Sequence, residues 1–158
     1  MFVEIGHFAL ALALGVAVVQ TIVPLWGVAR NDPALASVGP AAAIASFLLV
    51  AISFGCLMAS YVTSDFSVEN VAANSHSTQP LIYKLTSVWG NHEGSMLLWV
   101  LILVLFGALV ALSRRSLPPK LRAGTLAAQG SVSVAFLAFT LLTSNPFRRL
   151  VPAPGEGQ

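Results

Sequence analysis

Four long apolar runs alternate with shorter polar segments along the chain, at about residues 5–29, 38–62, 95–112 and 123–143. Each run approaches or exceeds the ~20 residues that an α-helix needs to cross a hydrocarbon core of about 30 Å. A membrane-spanning β-barrel would need polar and apolar residues in alternation, and these runs do not alternate. The pattern therefore predicts an all-α, polytopic membrane protein with about four transmembrane helices, in a single integral-membrane domain over residues 1–158.

The first run starts at Met1-Phe-Val-Glu4 and lacks the basic segment and the cleavage site of a secretory signal peptide. We therefore expect it to be retained as a transmembrane helix. Pro24, close to its end, is expected to bend or terminate this helix. Trp26 is expected to lie at the depth of the lipid headgroups, which amphipathic rings prefer.

The basic residues predict the orientation of the helices, because cytoplasmic segments carry an excess of Lys and Arg. Five of them fall in the connections on one side, namely Arg30, Arg114, Arg115, Lys120 and Arg122. The other side holds three, namely Lys84, Arg148 and Arg149. We therefore predict that both chain ends and the longest connection, about residues 63–94, lie in the periplasm of a bacterium. Because this connection is longer than neighbouring helices require, we expect a loop that carries function.

The composition supports a membrane protein and excludes other classes. Hydrophobic residues make up 56% of the chain and charged residues 9%, with a mean hydropathy of +0.82, whereas soluble chains carry about 25% charge. The basic residues form no stripe, so no nucleic-acid partner is predicted. Cys56 is the single cysteine. The chain therefore contains no CxxCH haem-attachment site and is not itself a c-type cytochrome.

Small and polar residues at helical spacing predict where the helices meet. Two sets of small residues recur every four positions, at Ala9, Ala13 and Ala17 and at Ala51, Gly55 and Ala59. Two polar sets are periodic as well: Ser46, Ser53 and Ser60 recur every seven positions, and Thr125, Gln129 and Ser133 recur every four. We expect all four sets to face protein rather than lipid. A substrate path along them is the less favoured alternative, because no ionisable residue lies at mid-membrane depth.

The candidate chemistry lies just before the third run, in the segment Trp89-Gly-Asn-His-Glu-Gly-Ser95. Asn91 or Ser95 can cap the free amides of the helix, and Glu93 complements the positive end of its dipole. A zinc hydrolase would need HExxH, but Met96 occupies the second histidine position, so no metal site is predicted. Imidazole is the usual axial ligand of haem, although a lone His92 does not establish such a role.

Five residues of this region are the candidates for contact with a substrate or a partner: Trp89, Asn91, His92, Glu93 and Trp99. The two tryptophans also fit an interfacial aromatic belt. For the other two histidines, His7 and His76, an interfacial or a solvated loop position is the favoured interpretation. No catalytic residue can be assigned from the sequence.

Six blocks of the chain, in one order, are similar to the CcmF/NrfE group of cytochrome c assembly proteins. They are Glu4–Gly15, Pro24–Arg30, Asp65–Val68 with Val71–Ser75, Pro80–Lys84 with Trp89–Trp99, Gly130–Phe136, and Thr143–Arg149. The most specific are the last three. The sequence thus resembles the N-terminal portion of this family of haem lyase subunits.

The resemblance implies a component of a haem lyase complex in the bacterial inner membrane. In that family the complete protein takes haem from the chaperone CcmE and helps attach it to the CxxCH of apocytochrome c, which CcmH- and CcmI-type partners present. The tryptophan-rich segment and the haem-ligating histidines of the family lie beyond Gln158. Haem is therefore implied as cofactor of the complete protein, no ligand maps onto this chain, and alone, without the remaining C-terminal part of the lyase, it is expected to be inactive.

One alternative from another class stays open, a non-catalytic membrane scaffold that docks cytochrome c assembly factors. A small transporter is disfavoured because the apolar runs offer no ionisable residue and no broken helix pair. The matching blocks do not distinguish a general maturation protein from one dedicated to nitrite reductase.

Overall fold

The structure is a computed structural model that describes residues 1–113 and 117–158. Within these residues the chain forms seven helices: α1 (Phe2–Arg30), α2 (Pro33–Ala36), α3 (Val38–Val62), α4 (Glu69–Asn74), α5 (Leu81–Gly90), α6 (His92–Leu112) and α7 (Pro119–Leu142). Four helical spans are long and apolar enough to cross a membrane: α1, the combined α2 and α3, α6, and α7. The predicted all-α fold with four helices of membrane-spanning length is confirmed.

The helix ends differ from the predicted bounds for local reasons. α1 continues through Pro24 to Arg30, so this proline does not terminate it. α6 begins at His92 rather than Ser95, because the side chain of Asn91 accepts a hydrogen bond from the amide of Gly94. α7 begins at Pro119 rather than residue 123, since a proline at the first helical position lacks only an amide that would be unpaired there anyway.

The connection over residues 63–94 is folded rather than an extended loop. It contains α4 and α5, whose residues Val71 and Val88 are fully buried. Lys84 is buried as well, and its Nζ donates to Ser64 Oγ at 2.6 Å and to the Ser77 carbonyl at 3.2 Å. Burial of apolar side chains and pairing of the ammonium therefore hold the connection against the bundle.

The four long helices form a bundle in which α1 packs on α3 and α7, and α6 packs on α3 and α7. The small residues predicted to face protein in the first helix, Ala9, Ala13 and Ala17, are all buried. They let the backbone of α1 approach its neighbours closely, which is how helices associate in lipid.

Two glutamines join all four long helices in the middle of the bundle. Gln20 of α1 is fully buried and donates to the Leu126 carbonyl of α7 at 2.9 Å and to Gln129. Gln129 of α7 in turn donates to the Leu103 carbonyl of α6 at 3.2 Å. Ser46 of α3 donates to Gln20 at 3.4 Å. This mid-bundle amide layer supplies hydrogen bonds where no water competes.

A glycine makes room for this layer. A Cβ atom at Gly107 of α6 would lie 2.6 Å from the side-chain oxygen of Gln129, closer than such atoms approach. The absence of a side chain at Gly107 therefore allows the amide of Gln129 to reach α6.

Two of the predicted protein-facing sets are only partly correct. Ser46, Ser53 and Ser60 are buried, as is Ser133, and Gln129 is partly buried. Thr125, however, is exposed and donates to the Leu121 carbonyl of its own helix at 2.9 Å, so it needs no neighbour. Gly55 is also exposed, with no atom within 4 Å of the position of a Cβ. Ala51 and Ala59 are only partly buried, so this small-residue face does not pack on a helix of the described chain.

The segment after α7 returns across the end of the bundle and closes it. The Glu69 amide donates to the Arg148 carbonyl at 2.9 Å, and the Leu150 amide donates to the Ser67 carbonyl at 2.9 Å. Arg149 pairs with Glu4 at the start of α1. The end of the chain is thus tied to both α1 and the connection between α3 and α6.

The last residues pack on the same connection. Glu156 accepts hydrogen bonds from the amide of Ser77 at 2.9 Å and from its hydroxyl at 2.7 Å. These two donors hold the pKa of the Glu156 carboxyl below its usual range. His76 lies 3.8 Å from the same carboxylate, at the exposed rim of the molecule.

Replacing Gln129 with Leu is expected to lower the free energy of unfolding in detergent by about 1–2 kcal/mol, because each interhelical hydrogen bond lost contributes about 0.6 kcal/mol on average. Titration with a denaturing detergent, followed by circular dichroism, measures the change. Thr125→Val on the same helix is the matched control and should leave the unfolding free energy unchanged. Equal losses for the two variants would contradict a role for the amide layer.

Candidate functional site

A polar pocket of about 330 Å³ opens at the end of the bundle where α6 begins. Helix α4, the start of α6 and the segment after α7 form its wall, which is lined by Glu69, Asn70, Ala73, Asn74, Asn91, His92, Glu93 and Asn145. Seven of these eight side chains can form hydrogen bonds or carry charge. Three of the blocks that resemble the CcmF/NrfE group, those around residues 71–75, 89–99 and 143–149, meet at this pocket.

Asn91 organises the wall on the α6 side. Its side-chain oxygen accepts from the Gly94 amide at 2.8 Å, which caps the first turn of α6. Its side-chain nitrogen donates to the Ser87 carbonyl at the end of α5 at 2.7 Å. One side chain therefore begins α6 and fixes the last turn of α5 against it. Of the two predicted caps, Asn91 has this role, while the Ser95 hydroxyl donates to the Trp89 carbonyl at 2.7 Å.

Tyr61 and Asn70 connect this cap to α3 and α4. Tyr61 is fully buried, and its hydroxyl donates to Asn70 Oδ1 at 2.6 Å and accepts from Asn91 Nδ2 at 2.9 Å. Asn70 Nδ2 donates to Asn91 Oδ1 at 2.8 Å and to Glu93 Oε2 at 3.1 Å. We call Tyr61, Asn70 and Asn91 the amide triad. Because its members satisfy one another, it is a rigid support for the residues that face the pocket.

The triad holds the Glu93 carboxylate by one oxygen only. Oε2 of Glu93 is bound to Asn70, and no donor to Oε1 is found in the part of the chain that the structure describes. The imidazole of His92 is exposed beside it. Asn145 reaches the pocket from the other wall, with its Nδ2 3.3 Å from Nδ1 of His7. An acceptor, an imidazole and a carboxamide are therefore available to a ligand.

A second cavity of about 270 Å³ adjoins the pocket and shares Glu69, Glu93 and Asn145 with it. It adds Arg148, whose Nε lies 3.6 Å from Glu69 Oε2. The two cavities together form a groove with two carboxylates, one guanidinium and one imidazole. Over residues 1–113 and 117–158 no group of three or more His, Cys, Asp or Glu side chains could hold a metal ion.

The acidic residues are concentrated at the end of the molecule that bears the pocket. Of the six acidic residues, Asp32 lies at the opposite end, where it caps α2 by accepting from the Ala34 amide at 2.9 Å. The other five lie at the pocket end, at Glu4, Asp65, Glu69, Glu93 and Glu156. Lys84, Arg148 and Arg149 lie at the same end, where Arg149 pairs with Glu4 and Arg148 with Glu69.

The structure brings three of the five predicted site residues together. Asn91, His92 and Glu93 line the pocket. Trp89 and Trp99 line neither the pocket nor the adjoining cavity, and they are 41% and 66% exposed. Trp89 belongs to α5, whereas Trp99 lies on the same side of α6 as His92 but seven residues, or roughly 10 Å, further along the helix.

Sequence reasoning missed six polar residues of the site: Tyr61, Glu69, Asn70, Asn74, Asn145 and Arg148. Asn74 and Asn145 stand within blocks shared with the CcmF/NrfE group, which is a signal that could have included them. Tyr61 and Asn70 carry no such signal, since their contact depends on α4 folding back onto the end of α3.

Replacing Tyr61 with Phe is expected to lower the stability of the protein by about 1–3 kcal/mol, because it leaves the side-chain oxygen of the buried Asn70 without its donor. Thermal unfolding in detergent measures the change. Tyr83→Phe removes the same hydroxyl from an exposed tyrosine of α5 and should have no effect. If both variants melted at the wild-type temperature, this result would contradict a supporting role of the amide triad.

No protein-family model matches the chain. Over all of its length the chain is 61% identical to the cytochrome c-type biogenesis protein CycK of Rhizobium meliloti, of which it covers 23%. It is 43% identical to CcmF of Escherichia coli and 37% identical to NrfE of Haemophilus influenzae, and covers 25% of each. The chain thus spans about a quarter of the length of the curated relatives that it matches.

The fold agrees with a solved structure of the cytochrome c haem lyase CcmF. The two superpose with a TM-score of 0.88 at 26% sequence identity, over 94% of this chain and 25% of the other. The agreement includes the four helices of membrane-spanning length, as in a multi-pass membrane protein. In sequence and in fold, the whole chain is therefore homologous to the N-terminal quarter of the CycK, CcmF and NrfE cytochrome c-type biogenesis proteins.

Proposed function

We propose that this chain is the N-terminal part of a haem lyase subunit that takes haem from a CcmE-type chaperone and helps attach it to the CxxCH of apocytochrome c. The observation that carries the proposal is the pocket at the start of α6, where three family-like blocks meet in one polar site. Sequence blocks that serve only helix packing are expected inside the bundle and not around an open surface. Such blocks are expected to meet at an open pocket when their residues contact a substrate or a partner.

The pocket acts in this proposal as the part of the haem-handling surface that faces substrate and partners. The exposed His92 imidazole and the free oxygen of Glu93 can pair with polar groups of the incoming haem or of the apocytochrome. A cysteine thiol reacts as the thiolate, so a nearby carboxylate or imidazole also suits the proton transfer that attachment requires. The amide triad holds the Glu93 carboxylate through Asn70, and Asn91 caps the helix turn that bears His92, as preorganised sites require.

The haem itself is the cofactor of the complete protein, and the proposal assigns its ligands to the remaining C-terminal part of the lyase. CcmH- and CcmI-type subunits, which present the reduced apocytochrome, are the further partners. The oxygen of Glu93 that no donor occupies in the described residues can pair with a basic group on a partner that docks there. Alone, this chain is expected to be inactive.

The proposed orientation has the pocket and both chain ends in the periplasm, within a single integral-membrane domain over residues 1–158. The excess of basic residues at the opposite end supports it. Of these, Arg114 and Arg115 lie outside the described residues, whereas Arg30, Lys120 and Arg122 lie within them. CxxCH attachment in the periplasm needs this orientation of the pocket.

Replacing His92 and Glu93 separately with Ala in the full-length lyase is expected to reduce the yield of holocytochrome c several-fold, while the lyase accumulates normally. The pocket would lose the imidazole or the carboxylate, and the fold would keep its cap at Asn91. Haem staining of cytochrome c, with immunoblots for the lyase, gives both quantities. His76→Ala and Glu156→Ala are the matched controls, since this second exposed His and Glu pair lies outside the pocket.

Wild-type holocytochrome yield in both pocket variants would contradict a role of the pocket in attachment. If the yield fell only because a CcmH-type partner no longer co-purified with the lyase, the pocket would instead be a docking site, as the scaffold alternative predicts.

The orientation is tested with single cysteines in a variant in which Cys56 is replaced by Ala. Thr78→Cys, near the pocket end, should react with a membrane-impermeant maleimide in intact spheroplasts. Lys120→Cys, at the start of α7, should react only after the membrane is opened. The reverse pattern would contradict both the proposed orientation and attachment at this pocket.

A further inference from the structure

Helix α5 turns Lys84 and Ser87 toward the protein. Lys84 is 8% exposed and donates to Ser64 and to the Ser77 carbonyl, both in the connection before α5. Ser87 accepts from Gln79 at 3.4 Å. A helix at an ordinary water-facing surface would instead direct a lysine and a serine outward.

The outward face of α5 is apolar and aromatic. Its exposed side chains are Leu81 at 57%, Ile82 at 67%, Tyr83 at 59% and Trp89 at 41%. The exposed hydroxyl of Thr86 donates to the Tyr83 carbonyl at 3.1 Å, so it requires no water. We call these four apolar side chains the outer face of α5.

The length of α6 sets the depth of α5 relative to the membrane. α6 has 21 residues and is therefore about 31 Å long at roughly 1.5 Å per residue, which matches the ~30 Å of the hydrocarbon core. Its first residue, His92, then lies at the boundary between hydrocarbon and headgroups. Only Asn91 separates α5 from α6, so α5 lies at the same boundary.

We propose that the outer face of α5 is a lipid-binding surface, embedded in the leaflet on the pocket side at the level where headgroups meet acyl chains. Phospholipid is the molecule that covers a helix face at this depth. Tyr and Trp prefer that level, and apolar residues there contact acyl chains. The inward direction of Lys84 and Ser87 fits an apolar surrounding and not water.

This surface has a consequence for the pocket that goes beyond its proposed function. Asn91 holds the end of α5 through the Ser87 carbonyl and begins α6 through the Gly94 amide. A membrane-embedded α5 therefore fixes the height of the pocket at the membrane surface, where an amphipathic ligand can reach it without leaving the lipid.

Spin labels test the proposal in the full-length protein, reconstituted in phosphatidylethanolamine and phosphatidylglycerol vesicles with Cys56 and any other cysteine replaced. Labels are attached to Ile82→Cys and Trp89→Cys, which are exposed positions on the outer face of α5, and to Thr78→Cys as the water-facing reference. Collision rates with oxygen and with a water-soluble nickel chelate report depth. Phospholipids that carry the label on the headgroup or in the middle of the acyl chain calibrate it.

The oxygen-to-nickel ratio at 82 and 89 should lie between those of the two labelled phospholipids and several-fold above that at 78. Nickel access equal to that at Thr78→Cys would show a water-facing helix and overturn the proposal. Low access to both reagents would also overturn it, because protein, such as the remaining three quarters of the lyase, would then cover α5. Either failure leaves the holocytochrome test of His92 and Glu93 unaffected, so the two proposals fail separately.

Discussion

The side chain of Asn91 joins four helices at one point. Its oxygen caps α6 and receives the amide of Asn70 in α4, while its nitrogen donates to Tyr61 in α3 and to the end of α5. A carboxamide suits this position because it donates and accepts at once, whereas a carboxylate could only accept. The groove, the direction of Glu93 and the position of α5 all depend on this one residue.

The bundle contains two polar layers with different tasks. The mid-bundle layer of Gln20 and Gln129 is closed, and its hydrogen bonds connect helix to helix. The layer at the pocket end is open on one side, since Glu93 and His92 retain groups that no residue of the described chain occupies. The mid-bundle layer stabilises the fold and the layer at the pocket end can bind a ligand, although side-chain amides form hydrogen bonds in both.

The long helices were predictable because lipid leaves the backbone no alternative to the helix, so long apolar runs suffice to locate them. The folded state of the 63–94 connection was not, since its helices are short and α5 packs on both α3 and α6. Asn91, His92 and Glu93 could be selected from local capping chemistry and from the family resemblance. Tyr61 and Asn70 could not, because their pairing arises only when α4 folds back.

The close approach of Gln129 to Gly107 couples the two positions sterically. Any side chain at 107 would displace the amide that reaches across from α7, and a shorter residue at 129 would make the glycine unnecessary. Substitutions at these two positions are therefore tolerated as a pair more readily than one at a time, although 22 positions separate them in the chain.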